Sequence, residues 1–300
     1  MYNKFVSQTQ QKHIAQTNPL KKHSKIVVGI VALLLALAVS ACGTTEQPEE
    51  RPLPTLVDPT TWPTALFLTE NAPPTGFGEV DFSNIDRHLE QYQGWTYTVT
   101  GFFEGTADAD GEPVRGELSV RVEGHEPGQK RRVVLQAEGR AFLPHDALLK
   151  LEGVRWSNDY YIVDVNGVCT VDIGGHEIDS AVADLSAGQL IGGVTRAVPT
   201  GHRQQIEGLE AWQYTFAPEA VRLPTVARYP ESQVQLEADL WIAPEINAVV
   251  RYEVTAQVSH VHLFWADRNG STVTGTLYLR YDLDVPALDV LPNISVPHGC

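Results

Sequence analysis

Few residue types able to do chemistry sit at a useful spacing. His260 and His262 in "SHVHLFW" alternate along a strand-like run, which would set two imidazoles on one face where they could share a metal ion. No third ligand accompanies them, and His125, His145, His176, His202 and His298 stand apart in sequence. Two strand-surface histidines is the simpler reading, and no metal is assigned. "DADGE" at 108–112 begins like a calcium loop but lacks the later ligands and the closing glutamate, so it reads as a hairpin turn. Asp159, Asp164 and Asp172 crowd one stretch and could pair for acid–base work, but only if a cleft desolvates them. As turn and edge residues they need no cleft. The G-x-S-x-G elbow, the H-E-x-x-H pair, a phosphate-cradling glycine loop and C-x-x-C are all absent from the sequence. The reading is a protein that is not an enzyme and uses no cofactor.

The remaining chemistry belongs to three cysteines: Cys42, Cys169 and Cys300. Cys42 closes an apolar run, Ile26 to Ala41, of 16 residues. A transmembrane helix needs about 20. Lys21, Lys22, His23 and Lys25 precede the run and small residues end it, the layout of a secretory signal. "VSAC", residues 39–42, resembles the bacterial lipobox: an aliphatic residue, two small ones, then the cysteine to be modified. That resemblance implies a diacylglyceryl group on Cys42, cleavage before it, and a membrane attachment made through lipid. Two or more acyl chains hold a protein durably where one does not. An ordinary signal peptide followed by a chance cysteine is the alternative.

Loss of residues 1–41 removes five lysines and no acid, leaving 17 basic residues against 37 acidic ones, a net charge of −20. Such a surface repels nucleic acid and anionic headgroups, so no nucleic-acid partner is expected. Outside the membrane the compartment is oxidising, and the remaining pair Cys169 and Cys300 suggests a disulfide, with two free buried thiols as the alternative.

Three segments follow. Residues 1–41 are the signal. Residues 42–75 carry the lipidated cysteine and a tether with seven prolines, which exclude helix and central strand. Residues 76–300 form the folded domain. Within it, Phe82, Ile85, Leu89 and Tyr92 recur at helical spacing and predict a short helix over 81–93. Beyond Gly94 the period changes to two, in "WTYTVTGFFEG", "GELSVRVEG" and "KRRVVLQAEG". Asn166-Gly167 predicts a two-residue hairpin turn within 160–173, placing Cys169 on the face of Tyr160, Ile162, Val171 and Ile173 and pointing inward. Further hairpins are expected at 240–254 and at 262–283, the latter turning at Asn269-Gly270. One or two helical turns are expected within 176–194. About ten strands at hairpin spacing predict a mainly β domain: one large curved antiparallel sheet with a few short helices.

"EAWQYTF" (210–216), "LEADLWIAPEINAVVRYEVTAQ" (236–257) and the strand-rich end finishing in "LPNISVPHGC" resemble, over about residues 95–300, the LolA/LolB and LppX/LprG lipoprotein-carrier group. The resemblance implies a half-open β-barrel with helices against its concave side and an apolar groove for the acyl chains of a lipid or lipoprotein ligand. Each methylene taken out of water contributes about 0.8 kcal/mol, so such a groove needs no charged chemistry. Candidate lining residues are Trp95, Phe102, Trp156, Tyr161, Trp212, Phe216, Trp241, Tyr252 and Trp265. The alternative is an envelope structural or interaction lipoprotein whose core is filled, each aromatic being packing. A deep apolar cavity separates the two.

Overall fold

The computed structural model describes residues 72–143, 148–174, 182–263 and 272–300. Fourteen strands among them belong to one antiparallel sheet. The first group is β1 (Val80–Phe82), β2 (Gly94–Ala107), β3 (Pro113–His125), β4 (Lys130–Glu138), β5 (Leu148–Trp156), β6 (Asp159–Val163) and β7 (Cys169–Asp172). The second is β8 (Gly193–Ile206), β9 (Leu209–Thr215), β10 (Val221–Arg222), β11 (Val226–Ala227), β12 (Gln233–Ala243), β13 (Ala248–Leu263) and β14 (Val273–Leu283). Their spatial order is β1-β8-β9-β12-β13-β14-β2-β3-β4-β5-β6-β7, with β10 also on β8 and β11 also on β13. Edges β1 and β7 do not pair, so the barrel is unclosed, the form that the resemblance implies.

Register aligns the apolar positions into rows across the strands. One row runs Tyr252, Tyr281, Val99, Val120, Leu135 from β13 to β4, and the next runs Val254, Leu279, Gly101, Leu118, Ala137. All of these side chains are buried. The sheet buries this face by curling around it and by packing other segments onto it, which defines an inner and an outer face. Burial of each large apolar side chain contributes about 1.5–3 kcal/mol. The outer face carries threonines and ion pairs such as Arg251–Asp282 at 2.9 Å and Arg280–Glu253 at 3.0 Å.

The expected helices shrink. Over 81–93, Phe82 joins β1, Asp81 accepts a hydrogen bond from the Ser83 N–H, and only Arg87–Gln91 turns, as a 3-10 helix. Over 176–194, the helix α1 is Ala187–Leu190, closed by a capping box between Ser186 and Gln189; residues 175–181 lie outside the described set. Gly192, with φ of 77°, then redirects the chain into β8.

The 160–173 hairpin exists with a different register. Val163 pairs with Cys169 and Tyr161 with Val171, one residue off the two-residue-turn expectation. Asp164 is the reason: its Oδ1 accepts from the N–H groups of Asn166 and Val168, and its own N–H donates to the Val168 carbonyl, closing a wider loop. Those backbone donors also hold its carboxyl below the ordinary range. The shift turns Cys169 to the outer face with Tyr161 and Val171, while Asp172 becomes the buried residue. The hairpin at 240–254 forms through Pro244–Ile246, with Asn247 left-handed at φ 46°. β13 and β14 also pair, but Asn269-Gly270 lies outside the described residues.

The C-terminal tail is fastened at both ends. The Asp289 N–H donates to the Gly94 carbonyl at 2.9 Å, and Val290 lies so close to Gly94 that a Cβ there would stand 2.1 Å from its carbonyl oxygen. Cys300 is disulfide-bonded to Cys169, Cα to Cα 5.5 Å. Gly94 and Cys169 both sit at outer-face positions, so the tail crosses from β2 to β7 on the outer side. Five strand spacings are about 24 Å, a span that about eight extended residues cover.

Candidate functional site

The inner face and what lies over it form the candidate site. Residues 182–191 cover one end of it. Ala183, Ala187, Leu190 and Ile191 are fully buried, and a Cβ on Gly153 of β5 would meet the Ala183 backbone at 3.0 Å, so glycine there favours this close approach. Phe82, Ile85 and Leu89 bury the adjoining stretch.

The cover is held by polar groups that break the apolar pattern of the inner face. Arg131 of β4 pairs with Arg155 of β5, which pairs with Tyr160 of β6. Arg131 Nη2 donates to the Leu185 carbonyl at 2.7 Å and to the Tyr97 hydroxyl at 3.2 Å. The Tyr97 hydroxyl donates to Asp86 Oδ2 at 2.7 Å. The Ala187 N–H reaches both Asp86 Oδ2 and the Tyr97 oxygen at 2.9 Å, and the Gly188 N–H reaches Asp86 Oδ1 at 3.3 Å. Alongside, Arg155 Nη1 and the Tyr160 hydroxyl bind Asp184 at 2.7 and 2.8 Å. Trp95 supports the cluster, stacked on Tyr97 with centroids 5.5 Å apart and 5.3 Å from the Arg131 guanidinium.

This environment suppresses ionisation of its phenols. Burial, then the Asp86 charge, holds Tyr97 well above the ordinary tyrosine value. Burial does the same to Tyr281 and Tyr252 and pushes Tyr214 up to about 12. The buried Tyr252 and Tyr281 hydroxyls and the Arg131 Nε have no hydrogen-bond partner among the described residues. Tyr252 and Tyr281 are directly paired in register, and the Tyr281 ring lies 5.2 Å from that of Tyr97.

The aromatic residues named from sequence divide between the faces. Trp95, Trp212, Phe216 and Tyr252 occupy inner-face positions, with Trp212 and Tyr252 buried and the Phe216 ring 6.4 Å from that of Tyr252. Phe102, Trp156, Tyr161 and Trp241 occupy outer-face positions and do not line the inner face. Phe102 is 39% exposed, and Trp156 carries the Lys130 ammonium 3.5 Å above its ring. Trp265 lies outside the described residues, as does Cys42. Aromatic identity does not reveal which face a residue takes, because that depends on parity along the strand. No local motif marks Asp86, Tyr97 or Tyr281, whereas "RRVVLQA" sets Arg131 in phase with Val133, Leu135 and Ala137 and so marks a charge on the inner face.

His260 and His262 do not share a face. β13 has a bulge between Val258 and Val261, His260 is left-handed at φ 56° and exposed, and His262 is buried against the Tyr229 ring. A depression of about 1180 Å³ lies among Phe102, Glu104, Arg115, Glu117, Glu138 and Leu148 and is open and charged.

No protein-family model matches the chain, and no curated protein matches it. Solved structures similar to it include an uncharacterized conserved protein from Thermus thermophilus, at 12% identity and a TM-score of 0.24, covering 73% of this chain and 86% of that one. A LolA superfamily protein from Nitrosomonas europaea is 9% identical with a TM-score of 0.23, covering 71% and 96%. A DUF1329 family protein from Desulfovibrio piger is 9% identical with a TM-score of 0.20, covering 71% and 89%. At these values the likeness carries no functional inference.

Proposed function

We propose that this chain is a lipid-anchored protein of the cell envelope, attached through Cys42, whose half-barrel takes acyl chains of a lipid or lipoprotein onto its inner face when the 182–191 cover lifts. The observation that carries the reading is the kind of closure: a continuous apolar face lies beneath a cover pinned by hydrogen bonds that Arg131 and Arg155 donate and Asp86 accepts. Polar pins can exchange for a ligand's polar groups, whereas the apolar contacts beneath them can be replaced by acyl chains. The unpartnered hydroxyls of Tyr252 and Tyr281 offer donors to an ester or headgroup oxygen. Trp95, Trp212, Phe216 and Tyr252 would contribute to the lining. The Cys169–Cys300 disulfide supports an oxidising compartment.

Near-complete burial of the rows under the cover favours a second reading, a filled core in a structural or interaction lipoprotein. Native mass spectrometry of the full chain, purified from its membrane, decides between them. Acylated species released by organic solvent, in amounts that rise in Arg131→Leu, support the carrier. A mass accounted for by the anchored protein alone, unchanged after incubation with phospholipid, supports the filled core.

A further inference from the structure

The sheet ends on a strand built to receive another. β7 is an edge, and the Asp164 N–H to Val168 carbonyl bond fixes the phase of its ladder. Thr170 and Asp172 therefore exchange hydrogen bonds with Ile162 and Tyr160, while the N–H and C=O groups of Cys169 and Val171 point away from β6. None of those outward groups has a backbone partner among the described residues. Edge strands are ordinarily blunted by lysine, proline or a covering element. This one carries neither residue, and it is flanked by exposed Val165 (54%), Val168 (59%), Val171 (44%) and Ile173 (64%).

We infer that the β7 edge docks an extended polypeptide segment of a partner protein, one that alternates apolar with basic residues and adds as a further strand. Charge selects the occupant. Between Ser157 and Gly174 the hairpin holds Asp159, Asp164 and Asp172 and no lysine or arginine. A second copy would set the same carboxylates against themselves, on a chain whose net charge is already −15. A basic segment is attracted by Asp159 and Asp164, Asp172 being buried on the inner face. The disulfide sets the edge in advance: β7 has four residues and among the described residues pairs only with β6, and the bond from Cys169 to the tail ties it to the body of the sheet. A pre-ordered edge loses less conformational freedom on docking. This inference does not depend on the inner face binding lipid.

The test uses the full chain in detergent and a capped, fluorescent heptapeptide alternating valine with lysine and threonine. Saturable binding is expected by anisotropy, together with hydrogen-exchange protection at the Cys169 and Val171 amides. N-methylation of the peptide's inward amides should weaken binding about tenfold or more, the equivalent of about one lost hydrogen bond. Val171→Pro removes an outward donor without touching the ladder to β6, so binding should fall similarly while the melting temperature holds. If that variant unfolds, the wild-type protection pattern decides alone. Binding indifferent to N-methylation, protection elsewhere, no binding, or dimerisation of the free chain through this hairpin would each overturn the inference.

Discussion

The middle of the sheet and its β6–β7 edge are held by different means. β13, β14, β2 and β3 run 11 to 16 residues and are secured by rows of fully buried side chains. β6 and β7 have five and four residues, and a covalent bond does what burial cannot. Between them stands the Arg131 cluster, where charge and hydrogen bonds fasten a cover onto apolar surface. Each region is secured by the interaction its burial permits.

The sharpest challenge to this contrast uses two adjacent phenylalanines. Phe103→Ala should cost about 3–5 kcal/mol in urea denaturation, since its ring is wholly buried, while Phe102→Ala should cost well under about 1 kcal/mol. Equal effects would refute the assignment of faces. Asp86→Ala leaves the Tyr97 hydroxyl and the Gly188 N–H without their acceptor and the Ala187 N–H with the Tyr97 oxygen alone, and a loss of about 3–5 kcal/mol is expected, as for a broken buried charge interaction. A silent Asp86→Ala would mean that apolar packing alone holds the cover. Cys300→Ser should remove about 2–4 kcal/mol, with exchange accelerating in β6 and β7 before β2 and β14. Uniform acceleration would show that the bridge serves the whole sheet.

The smallest effects concern the phenols. Tyr281→Phe deletes a hydroxyl that has no partner among the described residues, so stability should stay within about 1 kcal/mol of the parent or rise. Tyr97, Tyr252 and Tyr281 keep their protons in the fold when the unfolded chain begins to lose them, near pH 10. Above that pH the unfolded state binds fewer protons, so stability should fall as pH rises, and Tyr281→Phe should flatten the decline. A pH-independent melting temperature between pH 9 and about 11 would count against burial of these groups.

The sheet was legible because period two survives in long runs: Trp95, Tyr97 and Val99 alternate with threonines, and the 240–254 hairpin follows its pattern. Where side chains compete with the backbone, the pattern misleads. Asp164 captures the turn that Asn166-Gly167 alone would make and shifts Cys169 to the other face. A bulge separates His260 from His262. The helical spacing over 81–93 is overridden because Phe82 is drawn into a strand and Asp86 into the buried cluster. That cluster joins residues 86, 97, 131 and 185–188, a proximity created only by the cross-sheet register and therefore absent from any local stretch.

The seam between β14 and β2 has a consequence for how the chain folds. β2 to β7 pair in order along the chain, and most of β8 to β14 do likewise, so each half has local contacts that form early. Val273 pairs with Ala107 and Leu283 with Tyr97, which joins the halves across more than half of the sequence. Closing so long a loop is entropically costly until both faces are ready to bury one another, which makes this seam the late, rate-setting event and the two meanders its independent precursors.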